Sequence, residues 1–214
     1  MQVNFPSLLL LETHAWEKAE PLEPPHGAAA DFQARVYWTQ AVAAGHSKDT
    51  AAAKAAVEHY DDALEAVRQS SYAYVADQMT AARDEARAWA AFAEGNGAEA
   101  IGLLQAVADS QDKAGKGEVE IPAREMLADM LLALDRPQQA LAQYILSLKT
   151  NPNRFNSLYG AGYAAELSRQ VTIAHRFYRQ LLSNCKDATG ASRAEIAHAQ
   201  AYLHAPNTLE RSGR

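Results

Sequence analysis

The chain has 214 residues, a formal net charge of -6 and a mean hydropathy of -0.32. Its length suits one domain with a continuous core, and the lack of an apolar run of about 18 residues excludes a helical membrane span. The acidic balance, with a pI near 5.6, excludes nucleic acid as the main partner, because phosphate neutralisation needs a basic face. No basic residue precedes Leu8 to Leu11, a poor signal peptide, so the chain reads as cytoplasmic by default. Cys185 stands alone, which excludes an intrachain disulfide and leaves a small residue near a helix end.

In chain order, Phe5 to Glu20 carries Pro6, Leu8, Leu11, Ala15 and Trp16 at helical spacing, and Trp16 with Ala19 suits the second helix of a degraded repeat. Pro21, Pro24 and Pro25 end it and open a linker. Ala28 to Ala44 predicts a helix stopped by Gly45. Asp49 or Thr50 then caps a helix whose Ala53, Ala56, Val57, Tyr60, Ala63, Leu64 and Val67 form a stripe at spacings of three and four. A long helix is expected over Tyr72 to Glu94, ended by Gly95, Asn96 and Gly97, with a partner over Ala98 to Asp112. A loop with Gly115, Gly117 and Glu118 follows. Two hairpins come next, with turns at Asp135 to Pro137 and Ser168 to Gln170. A last helix over Ala191 to His204 reads as a terminal cap, and Pro206 onward as a frayed tail.

The stretch from Ile121 to Lys186 contains one pattern twice. Ala128 lies over Gly162, Ala140 over Ala174 and Tyr144 over Tyr178, each 34 apart (162 − 128, 174 − 140, 178 − 144). Upstream, Ala88 and Ala100 fall 40 before Ala128 and Ala140 (128 − 88, 140 − 100). Two helices joined by a tight turn cannot bury their apolar faces alone, so copies stack, with small residues where backbones approach closely. The expectation is one all-α domain over residues 1–214, a right-handed α-solenoid of stacked antiparallel hairpins. Its best repeats are 121–154 and 155–188, with degenerate ones over 28–120 and a capping helix over 191–204.

With Leu127, Leu131, Ser147 and Pro152 added, this spacing resembles the tetratricopeptide repeat. The wording from Pro122 to Glu125 and from Asn151 to Phe155 is similar to the C-terminal part of a group of bacterial tetratricopeptide proteins of unassigned function. In that group further repeats precede the segment, so the resemblance implies a truncated relative or a fragment. It also implies protein or peptide binding without chemistry, on a concave groove lined by the first helix of each hairpin. Transferred by register, the groove residues include Glu85 and Trp89, then Glu125 and Asp129, then Asn156, Tyr159, Tyr163 and Glu166. That acidic and aromatic set suits a basic or amphipathic peptide. It argues against a clamp for the carboxylate terminus of chaperones, which places Lys and Asn at positions that here carry Glu, Asp and Tyr. For Trp89, Tyr159 and Tyr163 the competing reading is core packing.

No nucleophile elbow, phosphate loop, dinucleotide turn, paired Cys-x-x-Cys or His-Glu-x-x-His occurs, so no catalytic residue, cofactor or metal is expected. The nearest ligand pattern is Glu195 with His198 on the last helix. A helical di-metal site needs that motif twice. The leading expectation is therefore a binding scaffold or adaptor. The alternatives are a self-associating or regulatory segment of a longer multi-repeat protein and, from another class, a metal-dependent enzyme.

Overall fold

The computed structural model describes residues 4–115, 121–187 and 193–205. Gly117, Glu118, the expected start of the last helix at Ala191 and the tail from Pro206 lie outside the described residues. Among those described, the chain is 79% helix without strands, and its eleven α-helices pack neighbour to neighbour. No described helix is long and apolar enough to cross a membrane. The chain forms two compact units, Met1–Leu127 and Ala128–Arg214, and the division falls within one helix, α7 (Ala123–Ala133).

The first unit holds α1 (Asn4–Glu12), α2 (Trp16–Ala19), α3 (Ala30–Ser47), α4 (Thr50–Arg68), a 3-10 segment (Ala73–Met79), α5 (Thr80–Ala93) and α6 (Gly97–Ala114). α3 is its central element, packed against α1, α2, α4 and α5, and α5 packs in turn on α4 and α6. The Asp49 carboxylate accepts from the Ala52 N–H at 3.0 Å, capping α4 as its residue type demands. The expected stripe on α4 is interior at Ala53, Ala56, Tyr60, Ala63, Leu64 and Val67. Three expectations need correction. Phe5 to Glu20 is two helices, because the chain turns at His14. Tyr72 to Glu94 is a 3-10 segment followed by α5. Gly45 does not stop α3, which runs on to Ser47; a Cβ there would meet the Trp89 Cβ at 2.7 Å and its backbone oxygen at 3.0 Å. Glycine at this position lets two helices touch.

A shared turn links the hairpins. After α1, α3, α5, α7 and α9, the N–H groups of Ala15, Asp49, Asn96, Arg136 and Gln170 reach the carbonyl five residues back at 2.8 to 2.9 Å. The preceding residue is left-handed each time: His14, Lys48, Gly95, Asp135 and Arg169, with φ from 54° to 85°. Each of these also donates to the carbonyl three residues back, which completes a Schellman turn and satisfies the last carbonyls of the helix. The steps between the turns are 34, 47, 40 and 34 residues (49 − 15, 96 − 49, 136 − 96, 170 − 136). The helix-turn-helix unit thus recurs back to α1 and α2, where side-chain spacing alone is degenerate.

The second unit contains the rest of α7 with α8 (Pro137–Thr150), α9 (Phe155–Leu167), α10 (Val171–Asn184) and α11 (Ala194–His204). α9 packs against α8, α10 and α11. Two tyrosines enter where glycine leaves room. A Cβ on Gly160 would meet the Tyr144 ring at 2.3 Å, and one on Gly162 would meet the Tyr178 ring at 2.5 Å. We expect Gly162→Ala to destabilise this unit by about 1 to 3 kcal/mol through overpacking. The clashing atoms are ring carbons, so Tyr178→Ala should absorb much of that cost in the double variant, and urea unfolding of the four-member cycle checks it.

Candidate functional site

The residues predicted to line a groove fall into two groups. Glu85, Trp89 and Glu125 are interior, at 4%, 0% and 1% exposure, and present no surface to a ligand. Asp129, Tyr159, Tyr163 and Glu166 are half-buried, and Asn156 is buried at the foot of α9.

In the first unit the acid and the ring are core. Trp38 Nε1 donates to Glu85 at 2.9 Å, and the Gln111 amide donates to its other oxygen at 3.2 Å. Gln111 in turn accepts from the Ala123 N–H at 3.0 Å, which joins α3, α5, α6 and the start of α7 through one polar chain, buried at Trp38 and Glu85 and half-buried at Gln111. Burial raises the Glu85 carboxyl to about 8, against the opposing pull of those two donors. Trp89 lies tilted by 31° against His46 with centroids 4.1 Å apart, and His46 stacks on Trp16 at 3.9 Å. Burial, followed by the proximity of His14, lowers His46 to about 3, so it is neutral in the fold.

In the second unit the predicted residues converge. Tyr159 and Tyr163, one turn apart on α9, stack with ring centroids 6.0 Å apart and planes within 6°. His198 of α11 stands edge-on to Tyr159, Tyr163 and Tyr178, at 5.6 to 5.8 Å. Its Nδ1 lies 3.2 Å from the Tyr159 hydroxyl, and its Nε2 lies 3.5 Å from Glu166. A carboxylate only accepts, so in the neutral tautomer that serves both contacts the proton is on Nε2 and Tyr159 donates to Nδ1. The Tyr178 hydroxyl donates to the same Glu166 oxygen at 2.7 Å. Burial, then Tyr163, Glu195 and Glu166, raises Tyr159 to about 12, and Tyr178 is raised by burial and by Glu166. Both phenols therefore remain protonated donors at neutral pH.

Asp129 is engaged differently. It accepts from the hydroxyl of Tyr144, the counterpart of Tyr178, yet Glu166 lies 37 residues after Asp129 rather than 34 (166 − 129). The carboxylate partner of the repeat tyrosine has moved one helical turn along, and Tyr163 occupies the place that Asp129 holds one repeat earlier. At the foot of α9, Arg193 donates to Asn156 at 3.2 Å and to Glu195 at 2.7 Å, with its guanidinium 4.0 Å from the Phe155 ring centroid. Glu195 is engaged by Arg193 and His198 by the tyrosines and Glu166, and among the described residues no group of three His, Cys, Asp or Glu side chains could hold a metal ion.

The chain matches no protein-family profile, curated protein or solved structure.

Sequence reasoning missed Arg193 and His198 as partners of the α9 face and Tyr202 as a partner of α10. A signal for them exists: His198 and Tyr202 are four apart, and such a pair shares one side of a helix. Tyr202 sits 5.3 Å from Tyr178 and 5.6 Å from His175, edge-on to both.

Proposed function

We infer that this chain is a non-catalytic scaffold that binds a protein or peptide on the face of α9, in a right-handed, tetratricopeptide-like stack of hairpins. The observation that carries the reading is the half-buried cluster of Tyr159, Tyr163 and Glu166, where two parallel rings stand beside a carboxylate. Stacked rings offer apolar area to a side chain, and the carboxylate attracts Lys or Arg, so the fitting ligand is a basic or amphipathic segment. Hairpins that close with the same turn hold this face on helix rather than loop, which spares the partner part of the ordering cost. Glu85, Trp89 and Glu125 are not part of the surface. The site is smaller than the register implied.

The test compares proteins captured from a lysate of the source organism by the unaltered chain and by a Tyr159→Ala, Tyr163→Ala variant that still melts cooperatively. A partner held by the first and released by the second supports the reading. Identical capture by both, or none by either, removes it.

A further inference from the structure

We propose that α11 is a built-in competitor: it occupies the α9 face as a ligand would, and the face opens to a cationic, aromatic helix when α11 leaves. The proposal rests on the scaffold reading and specifies how that site is regulated. Its ground is that the four predicted residues of α9 are each touched by α11 or by Arg193 just before it. Arg193 reaches Asn156, and His198 meets Tyr159, Tyr163 and Glu166. A terminal cap needs to cover apolar surface. α11 does so with Ala199 and with Tyr202, edge-on to Tyr178 and His175, and it also sets His198 among Tyr159, Tyr163 and Glu166, while Arg193 before it reaches Phe155 and Asn156.

Its attachment is that of a docked segment rather than of a core helix. Ala199 is the one buried residue of α11, whereas α10 buries Ala174, Phe177, Tyr178 and Leu181. Beside it Ile196, Tyr202 and Leu203 are only half-buried, so less apolar area holds α11 down and it belongs to the low-stability end of the fold. The contacts also describe the partner. A competing helix presents a cation against Phe155 and Asn156, a His or second cation five residues on among the tyrosines, a small residue beside it, and an aromatic nine residues from the first. Such a helix gains the contacts that α11 loses.

The experiment titrates a labelled peptide of residues 193–205 into the full chain and into an Arg193→Ala, His198→Ala variant, which leaves the α9 face unaltered. Displacement predicts binding about tenfold or more tighter to the variant, since the tether no longer competes. Adding Tyr159→Ala and Glu166→Gln to that variant should return binding to background. Hydrogen exchange of the unaltered chain should show the α11 amides opening well before those of α9 and α10. Equal binding to both proteins, no binding to either, or α11 exchanging in step with α9 overturns the proposal and makes α11 a structural cap. If the double variant does not fold, Tyr202→Ala takes its place as the releasing change. A peptide result that fails while partner capture still depends on Tyr159 and Tyr163 leaves the scaffold standing without its competitor.

Discussion

Glu85→Gln should stabilise the Met1–Leu127 unit above pH 8 and destabilise it near pH 5. The folded environment raises this carboxyl from 4.5 to about 8 by burial. Between those values the native state binds a proton that the unfolded chain has released, so stability falls as pH rises through the window, by about 1.4 kcal/mol per unit. The accumulated cost above pH 8 is roughly 4 to 5 kcal/mol. Glutamine carries no charge and avoids that cost. It brings a different one, because its NH2 group faces the Gln111 amide, whose oxygen already accepts from Ala123 and resists a flip. Two opposed donors cost about 1 to 3 kcal/mol at any pH. The net expectation is a gain of roughly 1 to 4 kcal/mol above pH 8 and a loss of about 1 to 3 below pH 5. All three tryptophans, Trp16, Trp38 and Trp89, lie in this unit, so urea unfolding followed by tryptophan fluorescence reads it directly. The same sign of effect at both pH values would show that Glu85 is ionised in the fold.

His46 supplies the opposite limb. The indole faces of Trp16 and Trp89 attract an imidazolium by roughly 1 to 2 kcal/mol, and burial outweighs them. Its folded value is lowered to about 3 from 6.5, so between these values the unfolded chain binds a proton that the fold excludes. Stability therefore rises with pH across that window, the reverse of the Glu85 effect. From these two groups the unit should be most stable on a plateau between about pH 4.5 and 6.5, where the slopes cancel. His46→Phe should flatten the acid side, and Glu85→Gln the alkaline side.

What could be read from the chain depended on whether the signal was local. Asp49 capping α4 and Pro137 at the start of α8 follow from residue type, because both act within one turn of helix. The recurrence of Gly162 and Tyr178 one period after Ala128 and Tyr144 was legible, but Gly160, which makes room for the Tyr144 ring, lies off that register and was not. The earlier hairpins were harder: His14 and Lys48 adopt left-handed turns without glycine, held by two backbone bonds each, and the steps of 47 and 40 residues depart from the 34-residue period. Gly45 misled for the complementary reason. A glycine at a helix end and one at a helix crossing look alike until the neighbour is known. The site divided the same way. Register placed Glu85 and Trp89 on the same side of their helix as the groove residues, but that side of α5 meets α3 and α6. The contact between Tyr159 and His198 spans 39 residues and has no local signature at all.

Trp89→Ala should cost the first unit about 3 to 5 kcal/mol, since truncating a fully buried indole loses its transfer energy and leaves a hole. Trp89→Phe should cost much less, because the indole Nε1 has no hydrogen-bond partner and phenylalanine removes that buried donor, which offsets about 1 to 3 kcal/mol of the lost area. Gly45→Ala should cost about 1 to 3 kcal/mol by overpacking. The informative quantity is the coupling between the two sites. A methyl on Gly45 meets the Trp89 Cβ at 2.7 Å, its Cε3 at 2.9 Å and its backbone oxygen at 3.0 Å, and only the Cε3 disappears when Trp89 becomes alanine. The Gly45→Ala, Trp89→Ala pair should therefore be nearly additive, within about 0.5 kcal/mol, although the residues touch. The Gly162→Ala, Tyr178→Ala pair should instead couple by more than about 1 kcal/mol, because there the obstruction is the ring itself. Helices α3 and α5 would then be held at their distance by backbone, whereas α9 and α10 are held by the Tyr178 ring, whose hydroxyl is fixed on Glu166. Strong coupling at Gly45 would mean that the indole alone sets the α3 and α5 spacing, and that Trp89 could swing without moving the helices.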